Sequence, residues 1–134
     1  MPISNNMKEI LSKKYHHKSL REVLLDKKLA GLGDAYVNFM YSLAYSLKFK
    51  EPSGIKVNSE TLAEALKRAG LRNLLPGRLD RHVLGNSAEA LILQAWLNDL
   101  VSDEECVNIL KDHLERPVEA FTSLLLEIRK RWSV

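Results

Sequence analysis

Apolar residues recur along almost the whole chain at i, i+3, i+4 and i+7, the period of a helix that turns one face inward. The spacing predicts seven helices, over residues 6–15, 19–26, 28–48, 59–69, 80–100, 103–114 and 118–132. No internal repeat, low-complexity tract or strand-like alternation bounded by hairpin turns interrupts this pattern, so the fold class expected is all-α, a bundle of about seven helices in one domain. The breaks have recognisable chemistry. Pro52 and Gly54 stop the third helix; Asn58 or Ser59 can cap the fourth, and Gly70 suits the position just past its end. Pro76-Gly77 forces a turn, Ser102 with Glu105 makes a capping box, and Pro117 sits in a first turn, where a helix tolerates proline. The third and fifth helices are the long apolar pair. Leu32, Tyr36, Phe39, Met40, Leu43 and Leu47 form the expected core stripe of one, and Leu84, Ala88, Leu91, Ile92, Ala95 and Trp96 that of the other.

Composition adds limits. The 134 residues are 46% hydrophobic and 28% charged, ordinary for a globular protein able to bury a core. A single cysteine, Cys106, builds no disulfide framework; a small buried apolar residue is its simplest role. The N-terminal MPISNNMKEILSKKYHHK has no apolar run beside a cleavage site, and no segment approaches the roughly 18 apolar residues of a membrane span. A soluble, unprocessed, cytoplasmic protein is therefore expected. A net charge of +3 permits a polyanionic partner without demanding one.

The stretch LAGLGDAYVNFMYSLA, residues 29–44, places two glycines and an aspartate where a long apolar helix enters the core. Gly31 and Gly33 each cost about 1 kcal/mol against alanine in a helix, which points to close approach by a backbone or a ligand. Asp34, Asn38 and Tyr41 form a polar edge on this helix, as His82, Asn86 and Glu89 do on the fifth. If those edges face one another, two carboxylates meet in one cleft with an amide and an imidazole nearby. Such an oxygen-rich site suits Mg²⁺ or Mn²⁺, which can activate water and clamp a phosphodiester. On spacing alone, two solvated acids at helix edges are the simpler reading. His16, His17, His82 and His113 have no zinc-ligand spacing with one another or with Cys106, and GLGD lacks the Lys-Ser/Thr of a P-loop.

LAGLGDA shares letters with the LAGLIDADG helix of homing endonucleases and with the Gly-x-Gly-Asp of intramembrane aspartyl proteases. The long helix that follows and the want of membrane spans fit neither. The chain resembles the ribonuclease III family over about residues 20–100, because that family carries Glu-Phe-Leu-Gly-Asp-Ala running into one helix and Asp-x-x-Glu-Ala-Leu-Ile on a later one. This sequence has LAGLGDAYVNFMYSLA and then DRHVLGNSAEALILQAWL, in the same order and helical context. It is similar to compact, archaeal-type members that consist of the catalytic domain alone, and to Mini-ribonuclease III. Three positions depart from the family motif: Ala30 stands at its glutamate, Gly31 at its phenylalanine and Asn86 at the first acid of Asp-x-x-Glu.

The resemblance implies an all-helical endonuclease domain, dimeric through the helix of residues 29–44, that hydrolyses double-stranded or structured RNA with Mg²⁺ or Mn²⁺. Asp34 and Glu89 would be the catalytic metal ligands, and Asn86 would assist with a neutral oxygen. Residues 103–134 form two helices, not the αβββα of a double-stranded-RNA-binding domain, so RNA contact falls to the catalytic domain itself. Lys27, Lys28, Arg72, Arg78 and Arg81 are the candidates, as phosphate contacts suit A-form RNA; solvated surface charge is an equal reading of each. A catalytically weak or inactive RNA-binding module is the alternative that Ala30 and Asn86 keep open, and a helical dimer serving protein interaction is a third.

Overall fold

The computed structural model describes residues 5–14 and 19–132. Seven α-helices follow in order: α1 (Asn5–Lys14), α2 (Leu20–Leu24), α3 (Lys27–Phe49), α4 (Ser59–Arg68), α5 (Arg81–Leu97), α6 (Asp103–Asp112) and α7 (Pro117–Arg131), with a 3-10 turn at Arg72–Leu74. There is no strand among the described residues, as the periodicity predicts. Tyr15, His16 and His17 lie outside them.

Helix starts follow local chemistry. Asp26 accepts from Leu29 N at 2.9 Å, Asn58 from Thr61 N at 2.8 Å and Asp80 from Val83 N at 3.0 Å. Ser102 and Glu105 form the expected reciprocal capping box, and Pro117 opens α7. Each such cap supplies an acceptor to an otherwise orphan N–H, at about 1 kcal/mol apiece. Gly70, past the end of α4, takes φ +77°, the left-handed conformation expected after a helix end. Asp26 and Asp80 thus stand just outside the helices rather than within them.

α5 is the axis of the bundle, and every residue from Ser87 to Leu97 is buried. It packs on α3 and α4 above all, and also on α1, α2 and α7, while α6 joins α3 to α7. Ser87 Oγ donates to Leu24 O at 2.6 Å and pins α2 to α5. The stripe expected on α5 is buried throughout. Cys106 is fully buried, as a small core residue would be.

The stripe expected on α3 is corrected. Tyr36 and Met40 are buried, but Leu32, Phe39 and Leu47 are 46%, 59% and 57% exposed. The face turned inward carries Leu29, Ala30, Gly33, Tyr36, Val37, Met40 and Ala44. Small residues decide it, because they let α3 approach α5 closely, and at 100° per residue Gly33, Val37 and Ala44 lie about 100–160° around the helix from Leu32 and Phe39. The two glycines also divide. A Cβ at Gly33 would collide with the carbonyl of Glu89, whereas one at Gly31 would meet nothing within 4 Å.

Gly33→Ala should therefore destabilise the protein by about 1–3 kcal/mol through forced separation of two backbones. Gly31→Ala should stabilise it by up to about 1 kcal/mol through helix propensity alone. Denaturant unfolding of both variants checks the contrast; equal effects would place the close contact elsewhere.

Candidate functional site

The crossing at Gly33 brings the two singled-out acids together. Asp34 follows Gly33 on α3, and the backbone that Gly33 approaches is that of Glu89 on α5. Asp34, Asn86 and Glu89 line one cleft of about 360 Å³, together with Lys27, Ala30, Gly31, Val57, Ser59 and Leu62. Gly31 thus faces the open cleft, where any ligand would approach, rather than a helix.

Glu89 is only 6% exposed. Burial pushes its carboxyl up to about 8, and a hydrogen bond with the Asp34 carboxylate and that group's negative charge add to the rise. A buried acid beside a second acid ionises reluctantly, so Glu89 holds its proton to a higher pH than an ordinary carboxyl does. Asp34 is exposed, and the Asn38 amide donates to its Oδ1 at 3.1 Å and to its backbone carbonyl at 2.9 Å.

The donor set is oxygen only: two carboxylates and the neutral Asn86 amide. Such a set suits a hard cation, with water completing the shell. A divalent cation would replace the proton that Glu89 otherwise holds, so the residues present fit Mg²⁺ or Mn²⁺. The set is lean. No group of three or more His, Cys, Asp or Glu able to hold a metal occurs among the described residues.

Of the other candidate site residues singled out from the sequence, only Lys27 lines this cleft. His82 Nδ1 lies 3.3 Å from Ser59 Oγ on the rim of α4. Tyr41, half-buried, packs its ring at 58° against that of Phe121, centroids 5.4 Å apart, at the edge of the core. Of the basic candidates, Lys27 lines the cleft and Lys28 is exposed beside it. Arg78 is exposed in the turn before α5, at φ +59°. Arg81 pairs with Glu60. Arg72 donates to Leu75 O at 3.3 Å and Pro76 O at 2.9 Å, holding that turn. Val57 and Ser59, which also line the cleft, carry no local signal of a site; only the return of the chain after α3 puts them there.

The ribonuclease III family model matches residues 27–133, and the chain belongs to the ribonuclease III family. No individual curated protein matches it. No helix among the described residues is long and apolar enough to cross a membrane.

Because the folded-state value of Glu89 lies above its unfolded value near 4.5, the folded form binds the extra proton between these limits. Its contribution to stability is complete below pH 4.5 and is lost as pH rises toward 8, by up to about 1.4 kcal/mol per pH unit. Metal-free protein should show this decline in denaturant titrations across pH 5–8. Glu89→Gln should flatten it, and a decline unchanged in that variant would assign it to another group.

Proposed function

We propose that the protein is a metal-dependent endoribonuclease of double-stranded or structured RNA. The observation that carries this reading is the convergence of Asp34, Glu89 and Asn86 on one open cleft in a ribonuclease III family chain. Asp34 and Glu89 hold Mg²⁺ or Mn²⁺ and Asn86 lends a neutral oxygen. When bound, the cation supplies activation of water and charge compensation on the phosphodiester. Glu89, buried, anchors the site from the protein side; Asp34, exposed, faces the substrate. Lys27 sets a positive charge beside the acids, where the phosphate backbone must pass, and Lys28 and Arg78 extend that attraction along the surface. Arg72 serves indirectly by holding the turn that carries Arg78, and Arg81 is available to RNA only by leaving Glu60.

The exposed Leu32, Phe39 and Leu47 support a second part of the reading, a homodimer joined through α3. Three large apolar side chains along one exposed helix face form the kind of surface that a partner buries, and a second copy of the chain presents the same stripe across a two-fold axis. Phe39→Glu should convert a dimer to a monomer in sedimentation equilibrium at micromolar concentration. A wild-type monomer would remove this part.

One observation favours the alternative of an RNA-binding module with little or no cleavage. Ala30 lines the cleft where the family motif has an acid, and Asn86 replaces another, so the site carries two carboxylates. Incubation with a long RNA duplex in Mg²⁺ or Mn²⁺ separates the readings, with single-stranded RNA and duplex DNA as controls. Cleavage should occur in the wild type and fall to background in Asp34→Asn and Glu89→Gln, with duplex binding retained. Asn86→Asp should bind the metal more tightly. A wild type that binds duplex RNA uncut, and stays inactive after Asn86→Asp, would establish the binding module instead.

A further inference from the structure

After α3 the chain turns back and runs along the helix that it has just left. Three side chains on one strip of α3 hold it there. Ser46 Oγ accepts from Ser53 N at 2.9 Å and donates to Ser53 O at 3.2 Å. Ser42 Oγ exchanges the same pair of bonds with Ile55, each at 2.9 Å. Asn38 Oδ1 accepts from Val57 N at 2.9 Å. The registers match because four residues of helix rise about 6 Å and two of extended chain about 6.6 Å. Positions 38, 42 and 46 therefore meet 57, 55 and 53 rung by rung.

Asn38 is the rung at the cleft. Since Val57 N–H requires an acceptor, Oδ1 faces the strap and Nδ2 must face the other way, where it donates to Asp34 Oδ1 and Asp34 O. An unrestrained aspartate on an exposed helix surface samples several rotamers. Here the amide holds one, and the strap holds the amide. Val57, bonded to the same side chain, also lines the cleft.

We infer that Asn38 is a positioning residue for the metal-binding acid: clamped by the 53–57 strap, its amide aims the Asp34 carboxylate into the cleft beside Glu89. The inference rests on the proposed metal site. Hydrogen-bond partners of ligating carboxylates commonly contribute 10–100-fold to metal affinity, so Asn38→Ala should weaken Mn²⁺ binding by about tenfold or more. Ser42→Ala removes a rung without touching Asp34. It should lower Tm at least as much as Asn38→Ala and leave Mn²⁺ affinity close to that of the wild type.

Mn²⁺ titration of the three proteins, followed by electron paramagnetic resonance and paired with thermal unfolding, reads both effects. Wild-type affinity in Asn38→Ala, or equal weakening in Ser42→Ala, would overturn the positioning role while leaving the metal site standing. No Mn²⁺ binding by the wild type would overturn the metal site and the inference with it. Should Asn38→Ala fail to fold, Mg²⁺ titration of the wild type by nitrogen-edited NMR decides. The Asn38 side-chain amide should shift and saturate together with the Glu89 backbone amide while Ser53 N–H stays fixed; an Asn38 amide that does not respond overturns the role.

Discussion

The close crossing of α3 and α5 at Gly33 is the constraint from which the site follows. A methyl group at this position would occupy the space of the Glu89 carbonyl, so the distance between the two longest helices depends on the missing side chain. The residue next to this glycine is Asp34, and the residue whose backbone it meets is Glu89. Interaxial distance and carboxylate separation are one geometric fact. α5 cannot yield, since it is enclosed by α1, α2, α3, α4 and α7 and buried without a break from Ser87 to Leu97. The core, in stabilising α5, also fixes one half of the acidic pair.

That placement has an electrostatic cost. A carboxylate withdrawn from water and set beside another destabilises its own charged form, and the rise at Glu89 follows first from burial, then from its hydrogen bond with Asp34 and from the charge of that group. The surrounding core makes the arrangement tolerable, because burial along α5 does not depend on the charge of one side chain at its edge. A site that holds like charges together in the folded chain is poised for positive charge, whether a proton or a cation. Lys27, at the same cleft, sets one positive charge beside the pair.

α3 divides its circumference among tasks that a simple amphipathic helix does not have. One strip, small at Ala30, Gly33 and Ala44 and bulky at Leu29, Tyr36 and Met40, faces inward, and the strip of Asn38, Ser42 and Ser46 binds the returning chain. Asp34 stands between them, and large apolar residues face outward. Bulk by itself therefore does not mark the buried face, since Leu29, Tyr36 and Met40 lie inside while Leu32, Phe39 and Leu47 lie outside. In most helices the largest apolar residues lead into the core, but a helix that must lie close to its neighbour uses glycine and alanine there. Leu32 and Phe39 are then left on the outside.

Helix number, helix starts and fold class were legible in the sequence, because periodicity and capping are properties of neighbouring residues that act over one or two turns. Asn58, Ser102 and Pro117 mark helix starts by chemistry that needs no tertiary context, whereas Asp26 and Asp80, expected inside helices, turn out to be the caps of α3 and α5. The acids Asp34 and Glu89 were also legible as a pair, through their polar edges on two apolar helices and through the two matching motifs. Which face of α3 is buried was decided only by the fold, since residues 32 and 33 are neighbours in the chain while the choice between them depends on how near α5 can come. The separate roles of Gly31 and Gly33 were hidden for the same reason. The strap on Asn38, Ser42 and Ser46 left a trace in their spacing of four, but its partners Ser53, Ile55 and Val57 give no sign by themselves. Backbone N–H groups are common to every residue, and only the path of the chain determines which side chain they meet.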